Sequence, residues 1–258
     1  MDRFTLITGA STGIGKALAH ISAENGRDLV LLARGQDKLE TLGKTLQDDH
    51  GVRVEIVVRD LATGDAAERT RSELEGRGLE IGTLVNNAGF GNLGAFHETD
   101  LDMQLSMLRL NIEALTELTH RFLPPMIARG HGQILNVAST AALQPGPFMA
   151  VYYATKAYVL SFSEAITEEL RGTGVTVTAL CPGPTRTEFQ TRAKMGSSRL
   201  ARYGLQDARP VAELGYRAME RGQAVAIPGL LNRLMALSVR LSPRAAVRRV
   251  VRHLNLAH

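Results

Sequence analysis

Seven short runs of aliphatic and β-branched residues, at positions 5–8, 29–33, 53–59, 83–86, 133–138, 175–181 and 224–227, alternate with longer amphipathic stretches. Several are apolar almost throughout, as in Leu29-Val30-Leu31-Leu32-Ala33. A strand without polar alternation offers no face to water and belongs in a parallel sheet with helices on both sides. The β, α, β, α order therefore predicts an α/β fold with a doubly wound, seven-stranded parallel sheet. In such sheets ligands bind beyond the carboxyl ends of the strands, so the residues just after each strand are the first candidates for chemistry.

The chain has 258 residues, 44% hydrophobic and 22% charged, enough for one α/β domain with a sizeable core. Its net charge of +4 is too small for a nucleic-acid binder, so small molecules or proteins are the expected partners. The single cysteine, Cys181, excludes an intramolecular disulfide framework and a multi-cysteine zinc site, and fits a reducing compartment. No apolar run approaches the roughly 18 residues of a spanning helix, and Met1-Asp2-Arg3 leads straight into the first strand without a signal-peptide pattern. The expectation is a cytoplasmic protein.

Residues 1–228 read as one catalytic unit without a linker. Within it the polar stretch 186–210 reads as a mobile flap over the substrate. After Gly229, two basic, leucine-rich segments, 230–240 and 244–254, are separated by Ser242-Pro243, an N-cap followed by a first-turn proline. They predict an appended helical hairpin over 229–258.

The first strand runs into Thr8-Gly9-Ala10-Ser11-Thr12-Gly13-Ile14-Gly15 and then a helical stretch. Glycines allow a tight turn and close backbone approach, and the amides at a helix start then face a phosphate. Such turns also serve as plain loop punctuation; it is the strand, glycine, helix context that points to a dinucleotide. The absence of a Gly-Lys-Ser/Thr ending argues against a nucleoside triphosphatase. An NAD site usually places a carboxylate at the tip of the second strand to bond the ribose hydroxyls. Here the tip is Arg34, which favours the 2′-phosphate of NADP(H), with Thr12 adding a hydroxyl; the alternative is a solvated surface charge.

Tyr152 and Lys156 are i and i+4 at the start of a helix with the apolar stripe Val159, Phe162, Ile166 and Leu170. A tyrosine of pKa about 10 is a poor base at neutral pH, and a neighbouring ammonium favours its phenolate. Ser139 follows the fifth strand, where its hydroxyl either donates to a substrate oxygen or closes a turn. In the helix expected over 101–122 the stripe runs Leu101, Leu105, Leu108, Ile112 and Leu115, with Asn111 on or beside it. A buried amide there needs a water or backbone partner, whether its purpose is structural or catalytic.

Taken in order, the Thr8–Gly15 turn, Asn86-Asn87-Ala88-Gly89, Asn111, Ser139, Tyr152-x-x-x-Lys156 and Pro182-Gly183 closely resemble the short-chain dehydrogenase/reductases over about residues 4–228. The resemblance implies that Tyr152 is the acid in carbonyl reduction and the base in alcohol oxidation, with Ser139 binding the reacting oxygen. It implies that Lys156 contacts the nicotinamide ribose and lowers the Tyr152 pKa, and that Asn111 holds a water in a proton relay. By the same resemblance Gly9, Ser11, Thr12, Gly13, Ile14, Gly15, Asn87, Ala88 and Gly89 line the cofactor. Asp60 and Leu61 contact its adenine, although Asp60 alone reads as a helix cap. Pro182, Gly183, Thr185 and Thr187 approach the nicotinamide, with Thr185 standing where the family usually has Val or Ile. The residues after Gly229 extend beyond the family's common core.

The expected activity is hydride transfer between NADP(H) and a carbonyl compound or secondary alcohol, the substrate being apolar and walled by residues 90–96, 141–149 and the chain from Phe189. A sensor that binds the dinucleotide without turnover is the alternative. Apolar and small residues on more than one side of the helices 101–122 and 151–170, notably Leu110, Leu118, Tyr158 and Ala165, predict a homodimer or homotetramer. The basic hairpin is expected to pack its leucine stripe on the domain or a neighbouring subunit in preference to a membrane surface.

Overall fold

The computed structural model describes residues 3–193 and 205–256. Its strands are β1 (Phe4–Thr8), β2 (Leu29–Ala33), β3 (Val54–Val58), β4 (Ile81–Asn86), β5 (Gly132–Val137), β6 (Val175–Leu180), β7 (Thr185–Arg186), β8 (Gln206–Asp207) and β9 (Val225–Ala226). All but β7 and β8 form a seven-stranded parallel sheet in the order β3-β2-β1-β4-β5-β6-β9. The expected sheet is therefore present, and β7 pairs with β8 in a separate two-stranded ribbon that the sequence pattern did not signal.

The helices are α1 (Gly13–Glu24), α2 (Gln36–His50), α3 (Ala66–Gly76), α4 (Leu101–Leu108), α5 (Leu115–Ala128), α6 (Ala150–Glu169), α7 (Phe189–Arg192), α8 (Ala208–Glu220), α9 (Leu230–Leu241) and α10 (Arg244–Asn255). The apolar run of β2 shows why both faces of the sheet need them. Leu29 and Leu31 pack with Ile7, with Leu18 of α1 and with Val211 of α8, while Val30 and Leu32 pack on the other face with Leu118 and Phe122 of α5. Strand order reverses between β1 and β4, so the connections after these strands diverge and leave a cleft at their carboxyl ends.

The helix expected over 101–122 is interrupted. A π-helical turn, Arg109–Ala114, separates α4 from α5. The stripe expected to face the core is corrected accordingly: Leu101, Leu105 and Leu108 are exposed, and Gln104, Met107, Asn111 and Ala114 are buried. A π turn holds more residues than an α turn, so a stripe read back from Leu115 at α spacing rotates off the core upstream of the insertion.

Helices α9 and α10 lie where the hairpin was expected, but their contact face differs. Asn232, Ala236, Val247, Val251 and Asn255 are buried, while Leu230, Leu231, Leu234, Leu237 and Leu241 are exposed. Of the proposed flap, 186–193 and 205–210 are seen as β7, α7, β8 and the start of α8. Residues 194–204 lie outside the described residues. Among the described residues no helix is long and apolar enough to cross a membrane.

Candidate active site

The cleft begins at the glycine turn after β1. Gly13 opens α1 with φ +57°, and a Cβ there would stand 2.9 Å from Thr187 Cγ2. At Gly15 a Cβ would come within 2.4 Å of both Asn87 Nδ2 and the Gly9 carbonyl, so only glycine lets the backbones approach. Thr12 occupies the N-cap without a side-chain bond to the first turn, leaving those amides for an anion.

Thr8 ties this turn to the end of β4. Its hydroxyl donates to the Val85 carbonyl (3.2 Å) and accepts from the Asn87 and Ala88 amides, both at 3.0 Å. Asn87 Nδ2 returns two bonds to the Thr8 and Gly9 carbonyls, at 2.9 and 3.2 Å. Asn87 thus shapes the glycine turn through its side chain. In the sequence Thr8 is only the first residue of the glycine motif, because a strand-end threonine carries no signal of this tie.

At one end of the cleft lie Arg34 and Lys38. Arg34 faces Asp60 across 3.6 Å with both side chains solvated, so little holds it from an arriving anion. Lys38 pairs with Glu188 at 2.9 Å, joining α2 to the segment after β7. Asp60 does not cap α3; its Oδ1 accepts from the Ala62 amide at 3.0 Å in a turn before that helix. Leu61 is buried beside it and also lines the cleft.

The other end is built from β5, α6 and the turn after β6. Ser139 caps the 3₁₀ turn Thr140–Leu143 by accepting from the Ala141 amide at 3.0 Å, and its hydroxyl donates to the Pro182 carbonyl at 3.4 Å. The turn-closing reading of Ser139 thus holds, and the residue also lines the cleft. Tyr152 sits in the first turn of α6 with its ring centroid 5.2 Å from that of Phe189. Burial pushes its phenol above the ordinary value, against a smaller downward pull from Ser139.

Lys156, one turn on, is 6% exposed, and its Nζ donates to the Val137 carbonyl at 2.7 Å. Desolvation brings this ammonium down to about 8. Its Nζ stands 5.9 Å from the Tyr152 ring centroid. The expected tuning of the phenol by Lys156 is not seen in this arrangement, where burial dominates. Asn111 is 2% exposed in the π turn and bonds the Phe90 backbone and, through Nδ2, Thr155 Oγ1 at 3.1 Å. Thr155 Oγ1 in turn donates to the Tyr152 carbonyl at 2.7 Å. A polar chain thus runs from Asn111 to the backbone of the candidate acid.

Pro182 and Gly183 form the opposite lip, fastened to the Ser139 side by the Thr140 amide, which donates to the Pro182 carbonyl at 2.8 Å. Thr185 is buried, and its hydroxyl bonds the Gly183 carbonyl at 2.9 Å, which explains how a polar residue is tolerated there. Thr187 accepts from the Phe189 amide and lies against Gly13. Cys181 is fully buried, with its thiol pushed up to about 12 by burial, an unreactive packed residue.

The glycine turn, Arg34, Asn87, Ser139, Tyr152, Lys156 and the Pro182 lip border one cavity of ≈ 1140 Å³, whereas Thr8, Gly15, Asn111, Thr155 and Cys181 do not line it. Its substrate end matches expectation in part, with Ala141, Leu143, Met149 and Phe189 on the wall. Of the span 90–96 only Phe90 lines it, whereas Met103, Leu110 and the hairpin residues Met235, Val239, Val247 and Val250 do. The packing expected of the hairpin thus brings it to this wall, although no local pattern says which of its residues face the cavity.

Residues 3–197 match the family model for short chain dehydrogenase. The chain belongs to the short-chain dehydrogenase family. Among its relatives, mouse (Mus musculus) 17-beta-hydroxysteroid dehydrogenase type 3 is 37% identical over 187 residues, covering 70% of this chain and 60% of the relative. Very-long-chain 3-oxoacyl-CoA reductase from Anas platyrhynchos is 34% identical over 189 residues, covering 70% of this chain and 59% of the relative. The chain thus spans about three fifths of the length of these curated relatives. In structure it is similar to a short-chain dehydrogenase from Sphingobium yanoikuyae in complex with NADPH, with a TM-score of 0.84, 33% identity and 93% coverage of both chains. The alternation of its strands and helices is that family's Rossmann-type fold.

Proposed function

We propose that this short-chain dehydrogenase interconverts an apolar ketone or aldehyde and its alcohol, using NADP(H). The observation that carries the reading is the placement of Tyr152 and Ser139 in the same cavity as the glycine turn and Arg34. The glycine turn, the uncapped start of α1 and the cationic pair Arg34 and Lys38 fit a dinucleotide carrying an extra phosphate. Bound there, the nicotinamide supplies or accepts the hydride.

The protein's own part is to hold the reacting oxygen and move a proton. A phenol raised by burial stays protonated at neutral pH, so Tyr152 is set to donate to a carbonyl oxygen as it gains charge. Ser139 shares that oxygen and disperses its charge. Lys156 offers a cation beside the ring, and Asn111, through Thr155, fixes the start of α6. The apolar lining around Met149, Phe189 and Val247 excludes water and favours substrates of matching character. The steroid and long-chain acyl names of the relatives support that class.

The test is NADPH consumption, followed by absorbance, against a panel of bulky ketones and aldehydes. Turnover with apolar members supports the reading; NADPH binding without turnover across the panel would replace it with a dinucleotide sensor.

A further inference from the structure

The hairpin has one face with no partner in its own domain. Leu230, Leu234, Leu237 and Leu241 recur at i, i+4, i+7 and i+11, the spacing of one helical stripe, with Leu231 beside them. All five are 55–79% exposed. The opposite side of α9 is anchored by Asn232 and Ala236, both buried, with Asn232 Nδ2 donating to the Pro228 carbonyl at 2.6 Å.

Charge identifies the occupant. Residues 229–258 contain six arginines and no carboxylate. Taking six from the chain's 30 basic residues leaves 24 against 26 acidic ones for residues 1–228, a net of −2. The whole positive surplus therefore resides in the hairpin segment, where Arg233, Arg240, Arg244, Arg248, Arg249 and Arg252 are all exposed. A second copy meeting this patch with its own would oppose six cations with six, so a self-complementary interface is disfavoured. An apolar stripe flanked by arginines, whose aliphatic stems reach down while their heads stay in water, matches the boundary of an anionic bilayer.

We propose that α9 and α10 form a monotopic docking surface for anionic phospholipid membranes. Met235 and Val250, 45% and 60% exposed, also line the active-site cavity, so docking brings the mouth of the cleft to the lipid. The surface is distinct from the reacting groups, and docking is measured without turnover.

The experiment is co-sedimentation of the full-length protein with phosphatidylglycerol-containing and pure phosphatidylcholine vesicles, at low and high salt, beside sedimentation velocity without vesicles. The expected result is about ten-fold or greater enrichment on the anionic vesicles, lost at high salt. Leu231→Gln/Leu234→Gln/Leu237→Gln should abolish enrichment with an unchanged Tm, because these side chains are already in water. Arg240→Glu/Arg244→Glu/Arg248→Glu should abolish it while the leucines remain. Absence of vesicle binding, or equal salt-insensitive binding to both vesicle types, would overturn the proposal. So would an oligomer in the vesicle-free run that the leucine variant dissociates, which would make the face a subunit contact.

Discussion

Asn111 and Phe90 clamp one another: the Phe90 amide donates to Asn111 Oδ1 at 3.1 Å, and Asn111 Nδ2 donates to the Phe90 carbonyl at 2.9 Å. The clamp holds the segment after β4 to the π turn, so Asn111 positions the reacting end of the cleft. Asn111→Ala strands a buried amide and carbonyl and should cost about 1–3 kcal/mol of stability. The same variant should lower kcat with little change in the KM for NADPH. Thermal unfolding together with steady-state kinetics checks both; a destabilised variant with wild-type kcat would make the residue purely structural.

Tyr152→Phe keeps the ring against Phe189 and removes the transferable proton. Turnover should fall by about 100-fold or more. NADPH binding, followed by fluorescence titration, should stay near wild type. Retention of a tenth of the rate sinks the assignment of Tyr152 as the acid.

Arg34→Ala should weaken NADPH use selectively, since NADH lacks the 2′-phosphate. A charge-assisted hydrogen bond of about 1.5–3 kcal/mol corresponds to roughly a 10- to 100-fold drop in the ratio of kcat/KM for NADPH over NADH. A constant ratio would leave Lys38 as the cation to mutate next.

Lys156 is held at about 8, below the ordinary lysine value of about 10.5, so the unfolded chain binds more protons between these values and stability should rise with pH across that window. Below it the burial cost is fully present, on the order of 3 kcal/mol at about 1.4 kcal/mol per pK unit. Lys156→Met should therefore show a flatter stability profile than wild type between about pH 8 and 10, although it loses the bond to Val137 and its activity. Urea unfolding at several pH values measures this; parallel profiles would refute it.

Leu101, Leu105 and Leu108 of α4 are exposed, as is Tyr158 of α6, which stacks on Phe162 at 5.7 Å. We expect these helices to pair across a two-fold axis in a homodimer. Leu105→Glu/Leu108→Glu should then sediment as a monomer where the wild type does not. A monomeric wild type at micromolar concentration refutes the pairing.

Much of this was legible because it is local. The unbroken apolar run of β2 demanded helices on both faces, and the Tyr152 to Lys156 spacing placed both residues on one side of α6. What escaped depends on the fold as a whole. The π turn at Arg109–Ala114 is invisible to a stripe counted at α spacing, so Leu101, Leu105 and Leu108 were assigned to the core. Thr8, Thr155 and Asn255 look like ordinary polar residues until the sheet brings them to Asn87, Asn111 and Tyr153. The burial that raises the Tyr152 phenol likewise comes from segments remote in sequence.

A Cβ on Gly183 would stand 2.6 Å from Asn232 Nδ2, so α9 is seated directly against the turn that follows β6. One wall of the cleft is thereby supplied by a contiguous stretch, from Asn232 to Leu254, that shares no residue with the nucleotide end. Such a wall behaves as a cassette: its sequence can drift, and with it the range of molecules admitted, while the redox machinery stays constant. The glycine is the key that lets it seat, and selection on it would protect the fit of a part it never chemically serves.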